Sequence, residues 1–302
     1  MSPDTITIRA PAKVNLALSV GPPLASGMHP IASWMACLEL HDEVHVTRAD
    51  HAFAVEWAGD APVPSEIDWP AEKDLCVRAL RELERYAGRG LACAIRVTKR
   101  TPVGAGLGGG SADAAATLIA VDRLFGLGTP REELRSIAHT LGSDIPFFID
   151  DAGDAPAPAI VSGLGDAIER VGFVAAPITL VLPAFGCPTG GVYRAYDAAP
   201  VPLQAARVRE LSSASVAAQS IESGALFNDL AGPACAVAPA LGDLRAALEG
   251  AVTQPVHVTG SGSTLFLVGA LGDGVCEALM SIGTPEAVAA RVLETRLLGR
   301  PS

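Results

Sequence analysis

Five glycines fall within the seven positions from Gly104 to Gly110, and they constrain this chain more than any other feature of its sequence. The stretch reads Pro102-Val103-Gly104-Ala105-Gly106-Leu107-Gly108-Gly109-Gly110-Ser111-Ala112-Asp113. Before it, Cys93 to Thr98 alternates as a strand does; after it, Ala114, Leu118, Val121 and Phe125 form one stripe of a helix predicted over Ser111 to Phe125. Loss of the Cβ atoms lets a ligand approach the backbone. The loop and first-turn N–H groups, aided by the helix dipole, then suit an anion. Ser111 can cap the helix, contact a phosphate or help hold the accompanying metal.

A plain tight turn rarely needs three consecutive glycines followed by a capped helix. Gly104, Gly106 and Gly109 also spell the G-x-G-x-x-G of dinucleotide sites. That pattern expects an acidic residue ending a second strand some twenty positions on, whereas the nearest candidate, Asp122, falls inside the predicted helix. No Gly-Lys-Ser/Thr occurs, which excludes a Walker A loop. A nucleotide-phosphate loop of another kind is the reading that survives.

Elsewhere, alternation predicts strands over Thr5–Arg9, Lys13–Val20, Glu43–Thr47 and Ala52–Trp57, then a Pro-rich loop from Ala61 to Pro70. Leu75 to Tyr86 has helical spacing and is stopped by Gly88. Asp150 to Pro158 is polar and irregular, and a first domain is expected to end near Gly165. Beyond it, strands are predicted over Ile178–Leu182, Val256–Val258 and Leu265–Val268, with helices over Val208–Ser223, Ala234–Leu248 and Pro285–Leu297. The fold class expected from this mixture is α+β in both parts.

The 302 residues are 49% hydrophobic and 18% charged, enough for two globular cores and unlike a disordered chain. A net charge of −11 argues against a general nucleic-acid or anionic-membrane binder. The six cysteines include no C-x-x-C pair, and no His or Cys cluster has metal-ligand spacing, so reduced thiols in a cytoplasmic protein are expected. The N-terminus has no signal-peptide pattern, and no apolar run is long enough to span a bilayer. Only three lysines occur, Lys13, Lys73 and Lys99.

The run P-x-x-x-G-L-G-G-G-S resembles the nucleotide loop of the GHMP kinases, named for galactose, homoserine, mevalonate and phosphomevalonate. Ala10-Pro11-Ala12-Lys13-Val14-Asn15-Leu16 and Thr259-Gly260-Ser261-Gly262-Ser263-Thr264 are similar to two further motifs of that family, in the right order. Gly27-Met28-His29, Leu141-Gly142-Ser143-Asp144-Ile145-Pro146-Phe147-Phe148, Pro188-Thr189-Gly190-Gly191-Val192-Tyr193 and Asn228-Asp229-Leu230 are similar to the branch that phosphorylates a cytidine diphosphate alcohol. The resemblance implies a nucleotide-binding N-terminal domain over residues 1–165 and a smaller ferredoxin-like C-terminal domain over 166–302. It also implies ATP and Mg2+ as cofactors, and transfer of the γ-phosphoryl group to a tertiary hydroxyl of a small molecule. Two departures stand out: Ser26-Gly27-Met28-His29 replaces the usual Asp-Gly-Tyr-His, and Asp74-Leu75 the usual Asn-Leu.

Carried over residue by residue, Asp144 falls on the catalytic aspartate and Lys13 on the active-site lysine; read alone, they are a turn residue and a solvent-facing strand lysine. Asn15 shares the Lys13 face and is expected to orient the hydroxyl. His29 is implied to bond the cytosine edge and Tyr193 to stack on it, with a loop histidine and ordinary packing as the bland alternatives. The residues Pro102 to Ala112 are implied to hold the nucleotide. Lys99 is either a further nucleotide contact or a solvated strand-end charge. The second glycine turn, Gly260 to Gly262, lets backbone approach the substrate diphosphate or closes the cleft, or is a bare hairpin turn. Rival functions are another GHMP kinase, a sensor on the same fold, and a related decarboxylase; a sensor should have lost Lys13 or Asp144, and both are present.

Overall fold

The computed structural model describes residues 4–150 and 156–299. Residues 151–155, inside the irregular stretch expected from Asp150 to Pro158, lie outside the described residues. Contacts divide the chain into two units, each discontinuous in sequence. The first comprises Met1–Ala12, Leu40–Pro102 and Gly108–Pro156; the second, Lys13–Glu39, Val103–Leu107 and Ala157–Ser302. A single boundary near residue 165 does not divide the contacts this way, because two long strands, β1 (Thr5–Val20) and β2 (Ile31–Arg48), each contribute to both units.

Both strands outrun their sequence patterns. The predicted pair Thr5–Arg9 and Lys13–Val20 is one strand, since Pro11 lacks an amide donor but has a φ that suits extended backbone. Of β2, alternation marks only Glu43 to Thr47. Its earlier part, Trp34-Met35-Ala36-Cys37-Leu38, is buried throughout and carries no period-two signal.

In the first unit, β3 (Ala52–Trp57) is followed by α1 (Leu75–Ala87) and β4 (Cys93–Lys99). β4 pairs antiparallel with β2, Glu43 opposite Thr98, and parallel with β3, Ala52 opposite Ala94. A parallel pair needs a crossover, and α1 supplies it. Asp74 caps α1 by accepting the Cys76 amide at 2.8 Å, and Gly88 ends it in the left-handed conformation. The helix α2 (Gly109–Phe125) is buried almost all round, as its alanines and Leu118, Ile119 and Val121 demand. The helix α3 (Arg131–Leu141) goes beyond the predicted elements; its Leu134, Ala138 and Leu141 face inward at helical spacing.

In the second unit, β5 (Ala159–Gly163) pairs antiparallel with the first part of β2 and with β6 (Ala167–Arg170). The chain continues through β7 (Pro177–Leu182), α4 (Thr189–Tyr196), α5 (Ala205–Ala218), β8 (Phe227–Asn228), α6 (Ala231–Val237), α7 (Pro239–Ala251), β9 (His257–Val258), β10 (Leu265–Val268), α8 (Gly272–Ile282), α9 (Pro285–Ala289) and β11 (Arg291–Arg296). β8 lies parallel to β1, Ala17 opposite Phe227. Four strands form an antiparallel sheet in the order β11-β7-β10-β9. With helices after its first and third strands, that is the expected ferredoxin-like arrangement. Its core gathers Val181, Leu241, Leu244, Leu265, Leu267 and Leu279.

Three predicted helices differ. Val208–Ser223 is Ala205–Ala218, closed by Gln219 at φ 50°. Ala234–Leu248 is two helices, because Pro239 forces Ala238 out of helical geometry. Pro285–Leu297 is a short helix and then β11, since residues 291–296 complete the ladder of β7. Tertiary pairing overrides local preference there. All six cysteines are unbridged.

Candidate active site

The glycine-rich loop leaves β4 after Lys99 and reaches α2 at Gly109. Gly104, Gly106 and Gly108 have φ of 69°, 77° and 69°, a region costly for any other residue. The N-cap of α2 is Gly108, which has no side chain to occupy the first-turn amides, and Ser111 lies inside the helix rather than capping it. The leading N–H groups of α2 are thus the orphan donors of a helix N-terminus. Gly110 is exposed, with only Leu75 Cδ1 near its missing Cβ, at 3.7 Å. Of the loop, Val103 and Gly104 face solvent, while Pro102, Ala105, Leu107 and Ala112 are buried. Gly109 is also buried: a Cβ there would lie 2.8 Å from Thr101 Cγ2, so its missing side chain makes room for Thr101.

Within the second unit, three separate motifs are knitted into one surface. Lys13 is 3% exposed, so it is not a solvent-facing strand residue. Its amide donates to Leu107 O at 2.8 Å, and its Nζ donates to Gly106 O at 2.9 Å and Asn15 Oδ1 at 2.6 Å. Asn15 is oriented by its other bonds, from Nδ2 to Ser33 Oγ at 2.8 Å and from its amide to Thr259 Oγ1 at 3.0 Å. The second glycine turn closes on the first: Thr264 N donates to Ala105 O at 3.1 Å. A Cβ on Gly106 would meet Thr259 O at 2.5 Å, and one on Gly260 would meet Lys13 Nζ at 3.3 Å. Gly260 therefore lies against the lysine, in the turn between β9 and β10. Asn228 holds this turn in place, donating from Nδ2 to Val258 O and Gly260 O, both at 2.8 Å.

In the first unit, Lys99 is buried and not solvated. Its Nζ donates to Asp42 Oδ2 and to Asp113 Oδ2, both at 2.6 Å. Lys99 is held protonated by the two carboxylates. Burial pushes Asp113 up to about 8 against the pull of Lys99, with the Asp42 charge adding to the rise. Sequence reasoning missed both aspartates. The available signal was an acid amid the buried positions of β2 and another on the inner side of an alanine-rich helix.

Asp144 is half-buried in the turn after α3, ahead of the buried Pro146-Phe147-Phe148 turn. His29 Nε2 lies 2.7 Å from Asp197 Oδ1, and its ring centroid 5.0 Å from that of Tyr193, so these two predicted residues do come together. Met28, next to His29 in sequence, is exposed. Asp74, besides capping α1, accepts the Trp69 indole N–H at 2.9 Å; an asparagine has one oxygen for these two donors.

Among the described residues, no three His, Cys, Asp or Glu side chains cluster as a metal cage. Among the described residues, no helix is long and apolar enough to cross a membrane.

Residues 74–151 match the profile of the GHMP kinases N terminal domain. A 4-diphosphocytidyl-2-C-methyl-D-erythritol kinase of Paraburkholderia phymatum is 37% identical over 61% of this chain; the match spans 59% of that relative's length. One of the same name from Clavibacter michiganensis subsp. michiganensis is 32% identical over 98% of this chain and 94% of its own. A crystal structure of 4-(cytidine 5'-diphospho)-2C-methyl-D-erythritol kinase superposes with a TM-score of 0.74 at 28% identity, covering 98% of this chain and 100% of that one.

Proposed function

Because the chain belongs to the GHMP kinase family, we propose that it transfers the γ-phosphoryl group of MgATP to the 2-hydroxyl of 4-diphosphocytidyl-2-C-methyl-D-erythritol. The observation that carries this reading is the convergence on Lys13: the glycine-rich loop, the second glycine turn and Asn15 all meet its side chain. The family similarity along nearly the whole chain supports the same substrate class.

Each residue then has a role. The helix N-terminus after Gly108 receives phosphate oxygens, and Gly110 leaves their path open. Lys13 neutralises charge on the transferring group, and Asn15 holds the lysine in place as well as facing the alcohol. Asp144 accepts the proton of the tertiary hydroxyl. His29, set by Asp197, reads the cytosine edge, and Tyr193 covers the ring. Magnesium shields the phosphate charge as part of the nucleotide. Residues 1–165 serve as the nucleotide-binding domain and 166–302 as the C-terminal domain. The enzyme would work in the cytoplasm, in the non-mevalonate route to isoprenoid precursors.

A coupled ADP-release assay tests the substrate: turnover is expected with the cytidine diphosphate alcohol and should be slow with mevalonate or homoserine. Faster turnover of mevalonate would end this assignment while leaving a kinase. Asp144→Asn keeps the size and removes the base, so single-turnover transfer should fall by about 10²–10⁴-fold, with substrate affinity little changed. Near-native transfer by the folded variant would sink the base assignment.

A further inference from the structure

Asp42 divides its two carboxylate oxygens between different tasks. Its Oδ1 accepts the backbone amides of Arg100 at 2.5 Å and Thr101 at 2.7 Å, where the chain leaves β4. Its Oδ2 accepts Lys99 Nζ, which also reaches Asp113 Oδ2 on α2. One hydrogen-bonded path therefore ties the outgoing stem of the glycine-rich loop to the helix that begins where the loop ends. Between them, Gly109 abuts Thr101 so closely that a Cβ would lie within 2.9 Å of the threonine's own Cβ.

Stability alone does not account for this path. The Asp42 side chain is 0% exposed, Lys99 5% and Asp113 6%, so three ionisable groups have been taken out of water. Asp113 Oδ1 is buried without a hydrogen-bond partner. Apolar residues of similar volume often replace a buried ion pair at no loss of stability, and a partnerless buried oxygen is a cost. What directional bonds offer and apolar packing does not is a fixed geometry between two backbone segments.

We propose that Asp42 and Asp113 are positioning residues for nucleotide binding, which through Lys99 fix the spacing between the end of β4 and the N-terminus of α2. Neither touches the nucleotide; they set where the donors of Gly109, Gly110 and Ser111 point. The inference rests on the reading of that helix N-terminus as the phosphate site. It also gives Lys99 a task in nucleotide binding without direct contact.

The two aspartates differ in what they tolerate. Asparagine at 113 keeps an oxygen for Lys99 and places its nitrogen where an oxygen lacks a partner, leaving Asp42 and Lys99 as a balanced pair. Alanine at 113 cuts the tether. Asparagine at 42 cannot serve both sides, because its nitrogen must face either the ammonium or the two amides.

Calorimetric titration of MgATP into the full-length chain, beside melting curves, decides the matter. Asp113→Ala and Asp42→Asn should weaken MgATP binding by on the order of tenfold, and Asp113→Asn by less than about twofold, since displacement of about 1 Å already costs much in alignment. A merely structural role would lower the melting temperature of Asp113→Ala and leave its affinity at the wild-type value, which overturns the proposal. Equal losses in Asp113→Ala and Asp113→Asn also overturn it, since the tether survives in one alone. If Asp42→Asn does not fold, the pair at position 113 decides. Wild-type protein that takes up no MgATP fails before any substitution, and that outcome removes the phosphate-site reading itself.

Discussion

The two halves of the glycine-rich loop are held by opposite means. Val103 to Leu107 is fixed mainly by close backbone approach: Gly106 lies against the carbonyls of Thr259 and Gly262, Ala105 and Leu107 accept the amides of Thr264 and Lys13, and Gly106 O also accepts the Lys13 Nζ. Gly108 to Asp113 is fixed by buried charge, through Lys99 and its two carboxylates. The first half is precise because no side chain fits, the second because an ammonium must sit between two acids. A steric lock breaks when an atom is added. An electrostatic one breaks when a charge is removed.

Removing the charge should have the larger effect. Lys99→Met leaves two acidic side chains buried without their cation, and loss of one partner of a buried pair typically costs about 3–5 kcal/mol. Chemical denaturation should show that loss; a cost under about 1 kcal/mol would break the comparison, because the second half would then be held sterically as well.

Adding an atom to the other half comes next. Gly106→Ala places a Cβ 2.5 Å from Thr259 O and 2.8 Å from Gly262 O, at a φ of 77°. Strain and overpacking together should destabilise by about 2–3 kcal/mol. The melting temperature measures it, and a variant as stable as wild type would show that the two glycine turns separate freely.

A pH-dependent difference, smaller within any one pH unit, sharpens the contrast. Asp113 is pushed from the ordinary 3.8 up to about 8, chiefly by burial. The folded protein thus keeps a proton that the unfolded chain has released. This contribution to stability is complete below about pH 4 and is lost as pH rises towards about 8, by at most about 1.4 kcal/mol per pH unit for one proton. Asp113→Asn has no such proton, so its stability relative to wild type should climb over that range. Parallel pH profiles would show that the carboxyl is already ionised when folded.

The smallest effect on the fold is expected at Gly110. Its Cβ would meet nothing closer than Leu75 at 3.7 Å, so Gly110→Ala should stabilise α2 by about 0.5–1 kcal/mol. MgATP affinity should nonetheless drop, because the methyl group enters the anion's path. Unchanged affinity would place the phosphates elsewhere.

Gly109 illustrates how far a motif can be read without its neighbours. As a glycine in a phosphate loop it invites the expectation that a valine there would collide with the nucleotide. The structure turns that position towards Thr101 instead, and leaves Gly110 open. The motif was legible; the face each glycine presents was not, because it depends on where β4 ends relative to α2. Likewise α3 went unpredicted although its Leu134, Ala138 and Leu141 carry helical spacing, whereas β11 left no local signal, because a strand at that place exists only beside β7.

By itself, the sequence determined the α+β class, the loop between strand and helix, and the residues of the three motifs around Lys13, Gly106 and Gly260. These follow from local periodicity and from glycine's freedom of φ, which act over a few neighbouring residues. Tertiary structure alone decided that Lys13 is buried against Gly106, that Lys99 is locked between Asp42 and Asp113, and that two discontinuous units share β1 and β2. Burial and pairing of charge depend on partners far away in the chain, 93 positions in the case of Lys13 and Gly106. No local pattern encodes a partner at that distance, because what selects it is the cost of leaving either group alone in an interior that water does not reach.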